Sequence, residues 1–170
     1  MPQFIENDQM SLADYVRSIG RGLIAFDGRP AAGKTYLARL VAQQLGCPAL
    51  DGDDFLLGNG KPFMSQLDFD KFGTAIGAGL ASSPLLLLSS AFARAVADRL
   101  KRQPAAVVWI EGVSAEMLDT ARNCYHDDIF ANDAVIGGVR RPRLLTEVEE
   151  YIATYKARLS PDRVYLNVVD

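Results

Sequence analysis

Cysteine, histidine and long apolar runs are scarce in this chain, and each scarcity narrows what it can do. Cys47 and Cys124 are the only cysteines; they lie far apart and form no C-x-x-C pair, so they read as reduced core thiols of a cytoplasmic protein. His126 is the single histidine, which argues against a histidine-based metal site and against a Ser-His-Asp triad; it reads as a surface or loop residue. The richest apolar run, Pro84-Leu85-Leu86-Leu87-Leu88, falls far short of the ~20 residues that cross a bilayer, so no membrane partner is expected. Met1 to Gln9 is polar, carries two acids and has no basic segment, unlike a secretory leader. A net charge of -3 lacks the basic excess that phosphate-backbone contacts demand, which excludes a general nucleic-acid binder. Internal repeats, linkers and low-complexity tracts are absent as well. What remains is 170 residues, 49% hydrophobic and 23% charged, the composition of one globular domain with a sizeable core.

Against this plain background one stretch stands out. Gly28-Arg29-Pro30-Ala31-Ala32-Gly33-Lys34-Thr35 satisfies G-x-x-x-x-G-K-[ST] at every fixed position, the Walker A or P-loop pattern. Leu23-Ile24-Ala25-Phe26-Asp27 before it reads as a buried strand. Leu37, Leu40, Val41 and Leu45 after it recur at helical spacing. A strand that turns through glycines into a helix N-terminus aims backbone N–H groups and the positive helix end at one point, which holds a polyphosphate. Lys34 then reaches the β/γ-phosphates and the Thr35 hydroxyl ligates Mg²⁺. Pro30 has no N–H to give, but Ala31 through Thr35 still supply a run of donors. The competing reading is a chance glycine turn before an ordinary helix.

The rest of the chain alternates. A helix is expected from Ser11 as N-cap to Gly20, with Leu12, Tyr15, Val16 and Ile19 on its apolar side. The P-loop helix runs to Leu45, with Gly46 as its cap. A second strand opens at Ala49-Leu50-Asp51 and leads into Gly52-Asp53-Asp54-Phe55. Residues 56–64 are irregular, 68–80 are helical until Pro84, and 85–89 fit a short strand or the start of a helix equally well. A helix is expected over 91–102. Ala106-Val107-Val108-Trp109-Ile110 is a buried parallel strand ending in Glu111-Gly112. A helix over 115–125, a strand at Ile129-Phe130-Ala131, a helix over 146–159 and a strand over 163–169 complete the expectation. Such alternation implies a three-layer α/β fold, a parallel sheet with helices on both faces, with ligands along the edge formed by the strand C-termini.

Three further features meet at that edge. Glu111 closes an apolar strand where a carboxylate can hold Mg²⁺ opposite Thr35; a helix-capping acid is the alternative. Asp53 and Asp54 follow the second strand, taken as the neighbour of the P-loop strand, and can accept the proton of a substrate hydroxyl; solvated turn residues are the alternative. Asp51 stands too early on its strand to take part. Arg140, Arg141 and Arg143 read either as a basic surface loop or as a lid over residues 137–146, hinged at Gly137-Gly138, that brings guanidinium groups to the transition state.

In this order the parts resemble the uridine-kinase-like P-loop kinases, a branch of the nucleoside and nucleotide kinases. The matching pieces are Gly28 to Thr35, Asp53-Asp54-Phe55, the strand Val107 to Val113, Ile129-Phe130, and Tyr155 to Asp162 before a final strand. The resemblance implies that Asp53 is the base for the acceptor hydroxyl and that Glu111 helps place Mg²⁺. It also implies ATP as phosphate donor and a small-molecule acceptor with a hydroxyl, of which a nucleoside is one candidate. The chain departs from that family in having no arginine in Ala131 to Gly138. The acceptor is expected between residues 53–64 and the helices before Ala91, beside Phe55 and Phe63. A nucleotide-binding regulatory protein or slow NTPase, and a P-loop module without turnover, are the rival readings. Nothing in the sequence fixes whether the chain forms a homo-oligomer.

Overall fold

A computed structural model of the chain describes residues 3–117, 143–157 and 161–168. Strand β1 (Gln3–Glu6) and helix α1 (Gln9–Ile19) lead into β2 (Gly22–Gly28) and α2 (Lys34–Leu45). Then come β3 (Ala49–Asp51), a 3₁₀ turn (Gly52–Phe55), the short α3 (Phe63–Gln66), α4 (Phe69–Ser82) and β4 (Leu85–Ser89). Helix α5 (Ala93–Arg99), β5 (Ala106–Val113), a second 3₁₀ turn (Ala115–Met117), α6 (Arg143–Tyr155) and β6 (Arg163–Val168) complete the described chain.

All six strands pair in parallel in the order β1-β6-β5-β2-β4-β3. The runs Leu23 to Asp27 and Leu85 to Ser89 are wholly buried because helices cover both faces. The pleat sorts their side chains. Ile24, Phe26, Leu87, Val108 and Ile110 pack with α1 and α2. Leu23, Leu86, Leu88 and Trp109 face the opposite way and pack with Phe72 and Ile76 of α4, Val96 of α5 and Val148 of α6. The chain leaves β2 toward β3 and β4 on one side and β5 and β6 on the other. The C-terminal end of β2 is therefore the topological switch point, the place where such sheets bind ligands.

Several expectations are corrected. Helix α1 is capped by Asp8, not Ser11: Asp8 Oδ1 accepts from the N–H groups of Met10 and Ser11 at 3.0 and 3.1 Å, and Ser11 Oγ donates to Asp8 Oδ2 at 2.5 Å. A carboxylate at the cap also meets the positive end of the helix. The polar start of the chain forms an edge strand, β1, beside β6. The segment 85–89 is a strand, and it lies between β3 and β2, so the Asp51 strand is not the neighbour of the P-loop strand. Cys47 is a half-buried free thiol at the margin of the core rather than inside it. Residues 115–117 form a 3₁₀ turn where a helix was expected. The rest of that helix, the Ile129 strand, Cys124, His126 and the Gly137-Gly138 hinge lie outside the described residues.

Candidate active site

The loop between β2 and α2 is shaped by what its neighbours exclude. Gly28 has φ 146°, and a Cβ there would sit 2.3 Å from the carbonyl oxygen of Ile110, so the backbone runs against β5 with no space for a side chain. Gly33, at φ 87°, is the N-cap of α2; a Cβ there would meet the Asn167 amide nitrogen at 2.5 Å. That amide donates to the carbonyl of Ala32 at 3.0 Å, so the end of β6 supports the loop. Ala31 takes the left-handed conformation at φ 62°, at a conformational cost for a residue with a Cβ.

Lys34 opens α2 and is 8% exposed, with Nζ donating to the carbonyl of Arg29 at 2.5 Å. Burial holds its pKa below the usual lysine range, while Asp27, Asp53 and Asp51 pull it back toward the charged form. Thr35 Oγ1 donates to Asp51 Oδ2 at 2.6 Å and lies 3.4 Å from Ser89 Oγ. The other Asp51 oxygen accepts from the N–H of Asp53 at 3.1 Å, which pins the 3₁₀ turn to the strand end. Asp53 is exposed at its surface side, yet partial desolvation beside the cavity, then the nearby Asp51 charge, raises its pKa above the ordinary carboxylate value against the pull of Lys34, making it a better proton acceptor. Pro30, Ala31, Gly33, Lys34, Thr35, Asp51 and Asp53 share one cavity of about 400 Å³ with Tyr36, Phe63, Ser90 and Ala91.

The cavity therefore brings together Ala31, Gly33, Lys34, Thr35 and Asp53 of the expected residues, whereas Gly28, Arg29 and Ala32 do not line it. It also contains Asp51, which sequence reasoning set aside. A strand end seemed too early, but the crossover places Asp51 against the first turn of α2. Glu111 is not among the residues lining this cavity. Trp109 and Glu111 share the α5/α6 side of the pleat, where one Glu111 oxygen accepts from Trp109 Nε1 at 2.9 Å and the other pairs with Arg29 Nη1 at 3.2 Å. The carboxylate facing Thr35 is thus Asp51, in place of the expected Glu111. Asp54 is exposed and does not line the cavity either. Phe55 is a core residue stacked on Phe72 at 4.2 Å, while Phe63 does line the cavity. Of the arginines expected in a lid, Arg140 and Arg141 lie outside the described residues and Arg143 begins α6. The signal for Asp51 was available: Asp51-Gly52-Asp53 puts two carboxylates two residues apart at the end of a strand.

Hard hydroxyl and carboxylate oxygens at Thr35 and Asp51 suit Mg²⁺, which takes few protein ligands and completes its shell from phosphates and water. Among the described residues no three acidic, histidine or cysteine side chains gather into a metal cluster of their own.

No family profile and no curated protein matches the chain. Solved structures do. One described as a possible uridine kinase from Bacillus stearothermophilus superposes with a TM-score of 0.58 at 15% identity, over 92% of this chain and 96% of that one. A gluconokinase from Sinorhizobium meliloti gives 0.41 at 21% identity over 88% and 83%. A shikimate kinase from Acinetobacter baumannii gives 0.43 at 18% identity over 93% and 88%. The superposition on the first and the strand order around the Gly28–Thr35 loop agree: the chain has the three-layer α/β fold of the P-loop NTPases.

Proposed function

We propose that the chain is an ATP-dependent phosphotransferase acting on a hydroxyl of a small molecule. The observation that carries this reading is the shared cavity. A polyphosphate cradle ending in Lys34 and Thr35 opens onto Asp53, a carboxylate made more basic by its surroundings. The loop N–H groups and Lys34 bind the β- and γ-phosphates and neutralise charge on the transferring oxygens. Thr35 and Asp51 would hold Mg²⁺, which would supply further neutralisation of the phosphate charge. Asp53 takes the proton of the acceptor hydroxyl as its oxygen bonds to the γ-phosphorus and the bond to the β-phosphate oxygen breaks, releasing ADP. Phe63, Ser90 and Ala91 bound the acceptor side.

Incubation with labelled ATP, Mg²⁺ and a panel of nucleosides, sugars and sugar acids tests the reading. Label appearing in one acceptor class, at a rate that depends on acceptor concentration, supports it. ATP hydrolysis indifferent to every acceptor would replace the kinase with a slow NTPase or nucleotide switch.

A further inference from the structure

Three side chains of α6 stand outside the cavity and hold Phe63, which lines it, and Arg29 and Asp27, which flank the start of the loop. Glu147 Oε2 accepts from the backbone N–H of Phe63 at 2.8 Å. Glu149 Oε1 accepts from Arg29 Nε at 2.9 Å, on the guanidinium that also pairs with Glu111. Tyr151 donates its hydroxyl hydrogen to Asp27 Oδ2, and its oxygen accepts from the N–H of Arg94 at 3.2 Å. Asp27 is fully buried, and its other oxygen accepts from the N–H of Gly28, the first residue of the loop, at 2.9 Å.

The loop itself has little with which to fix its shape. Between Gly28 and Gly33 only Arg29 carries a long side chain. Besides the Asn167 amide on Ala32 and the Lys34 ammonium on the Arg29 carbonyl, the loop's orientation is set from the strand end beneath it and from the carboxylates on Arg29; α6 supplies Tyr151 to the first and Glu149, beside Glu111 of β5, to the second. Resting on the nucleotide site proposed above, we infer that α6 is a brace for the phosphate loop, with Tyr151 and Glu149 as positioning residues that set its nucleotide affinity. Without the brace the loop spends part of its time in other arrangements, and the apparent Kd rises by the inverse of the competent fraction.

Packing makes the test clean. The Tyr151 ring packs on those of Phe92 and Tyr155, 5.2 and 5.1 Å away, so Tyr151→Phe keeps the ring and removes the hydroxyl, with both its donation to Asp27 and its acceptance from the Arg94 N–H. The groups facing Asp27 are Tyr151 of α6, Arg94 of α5 and Lys34 of α2; β5 contributes Trp109 beside it, and Glu111 is engaged by Trp109 and Arg29. The Tyr151 hydrogen bond favours the ionised form of Asp27, so its removal moves the Asp27 titration to higher pH.

The affinity of the Mg²⁺ complex of a non-hydrolysable ATP analogue is measured by calorimetry from pH 5 to 8, alongside melting temperatures. Tyr151→Phe is expected to bind about fivefold more weakly at pH 7.5, with the midpoint of its affinity–pH profile displaced upward. Asp27→Asn should lose that step. A purely structural role would lower the melting temperature and leave the midpoint in place, which overturns the inference for Tyr151. Glu149→Gln, at a partly exposed pair, is expected to bind two- to threefold more weakly, on the order expected for one such ion pair, with an unmoved midpoint; wild-type affinity there overturns its part. Binding by the wild type with both variants unchanged defeats the brace alone. No binding by the wild type defeats the phosphate site and the brace with it.

Discussion

Replacing Asp27 with asparagine should stabilise the protein at neutral pH while weakening nucleotide binding. Asp27 is wholly buried at the end of β2. Burial raises its pKa from the ordinary 3.8 to about 6, against the opposing pull of Tyr151, the Gly28 N–H, Arg94 and Lys34. At about 1.4 kcal/mol per pH unit, keeping this carboxylate ionised in the folded state costs about 3 kcal/mol. The sign follows from proton counting. Between pH 3.8 and about 6 the folded chain holds a proton on Asp27 that the unfolded chain has released, so the stabilisation present below 3.8 is lost as pH rises through 6. Asparagine does not ionise, and its side-chain oxygen can still accept from Gly28. Urea unfolding of both proteins at several pH values between 4 and 8 reads the difference directly. The stability gap should be small near pH 4, widen as pH rises, and level off above pH 7 at up to about 3 kcal/mol in favour of Asp27→Asn. A gap independent of pH, or a variant less stable throughout, would mean that Asp27 carries no such ionisation penalty in the folded chain. A stabilised variant that binds nucleotide less well would mark Asp27 as a residue kept for function at the expense of stability.

Two further outcomes follow from the site. Asp53→Asn should keep nucleotide affinity within about twofold yet lose transfer by roughly 10²–10⁴, the usual contribution of a general base; single-turnover phosphate transfer measures it, and transfer at the wild-type rate would move the base elsewhere. Asp51→Asn should raise the Mg²⁺ concentration needed for half-maximal activity several-fold, whereas Glu111→Gln should leave that requirement unchanged, because Glu111 is tied to Arg29 and Trp109. A Mg²⁺ titration showing the reverse would restore Glu111 as the metal carboxylate.

Local chemistry made much of this legible in advance. The Gly28–Thr35 pattern, the unbroken apolar runs of β2 and β5 and the Gly46 cap are written in contiguous residues, and each holds in the structure. What escaped depended on neighbours distant in sequence. Strand order decides that β4 separates β3 from β2, and the crossover brings Asp51 to Thr35. The pleat decides that Glu111 points with Trp109 toward α6. Tyr151 on an amphipathic helix reads as an ordinary core aromatic; its hydroxyl gains a role only because α6 packs over the end of β2. The cap of α1 was misplaced by three residues because Ser11 and Asp8 are both good caps, and the structure uses the charged one.

In the proposed function the bend from Gly28 to Thr35 encloses the phosphates of a nucleoside triphosphate. Backbone amide resonances followed during titration with the Mg²⁺ complex of an ATP analogue address it residue by residue. Saturable shifts are expected to be largest at Ala31, Ala32, Gly33, Lys34 and Thr35 and to vanish in a folded Lys34→Ala variant. Shifts centred away from this bend, or undiminished without the lysine, would contradict it.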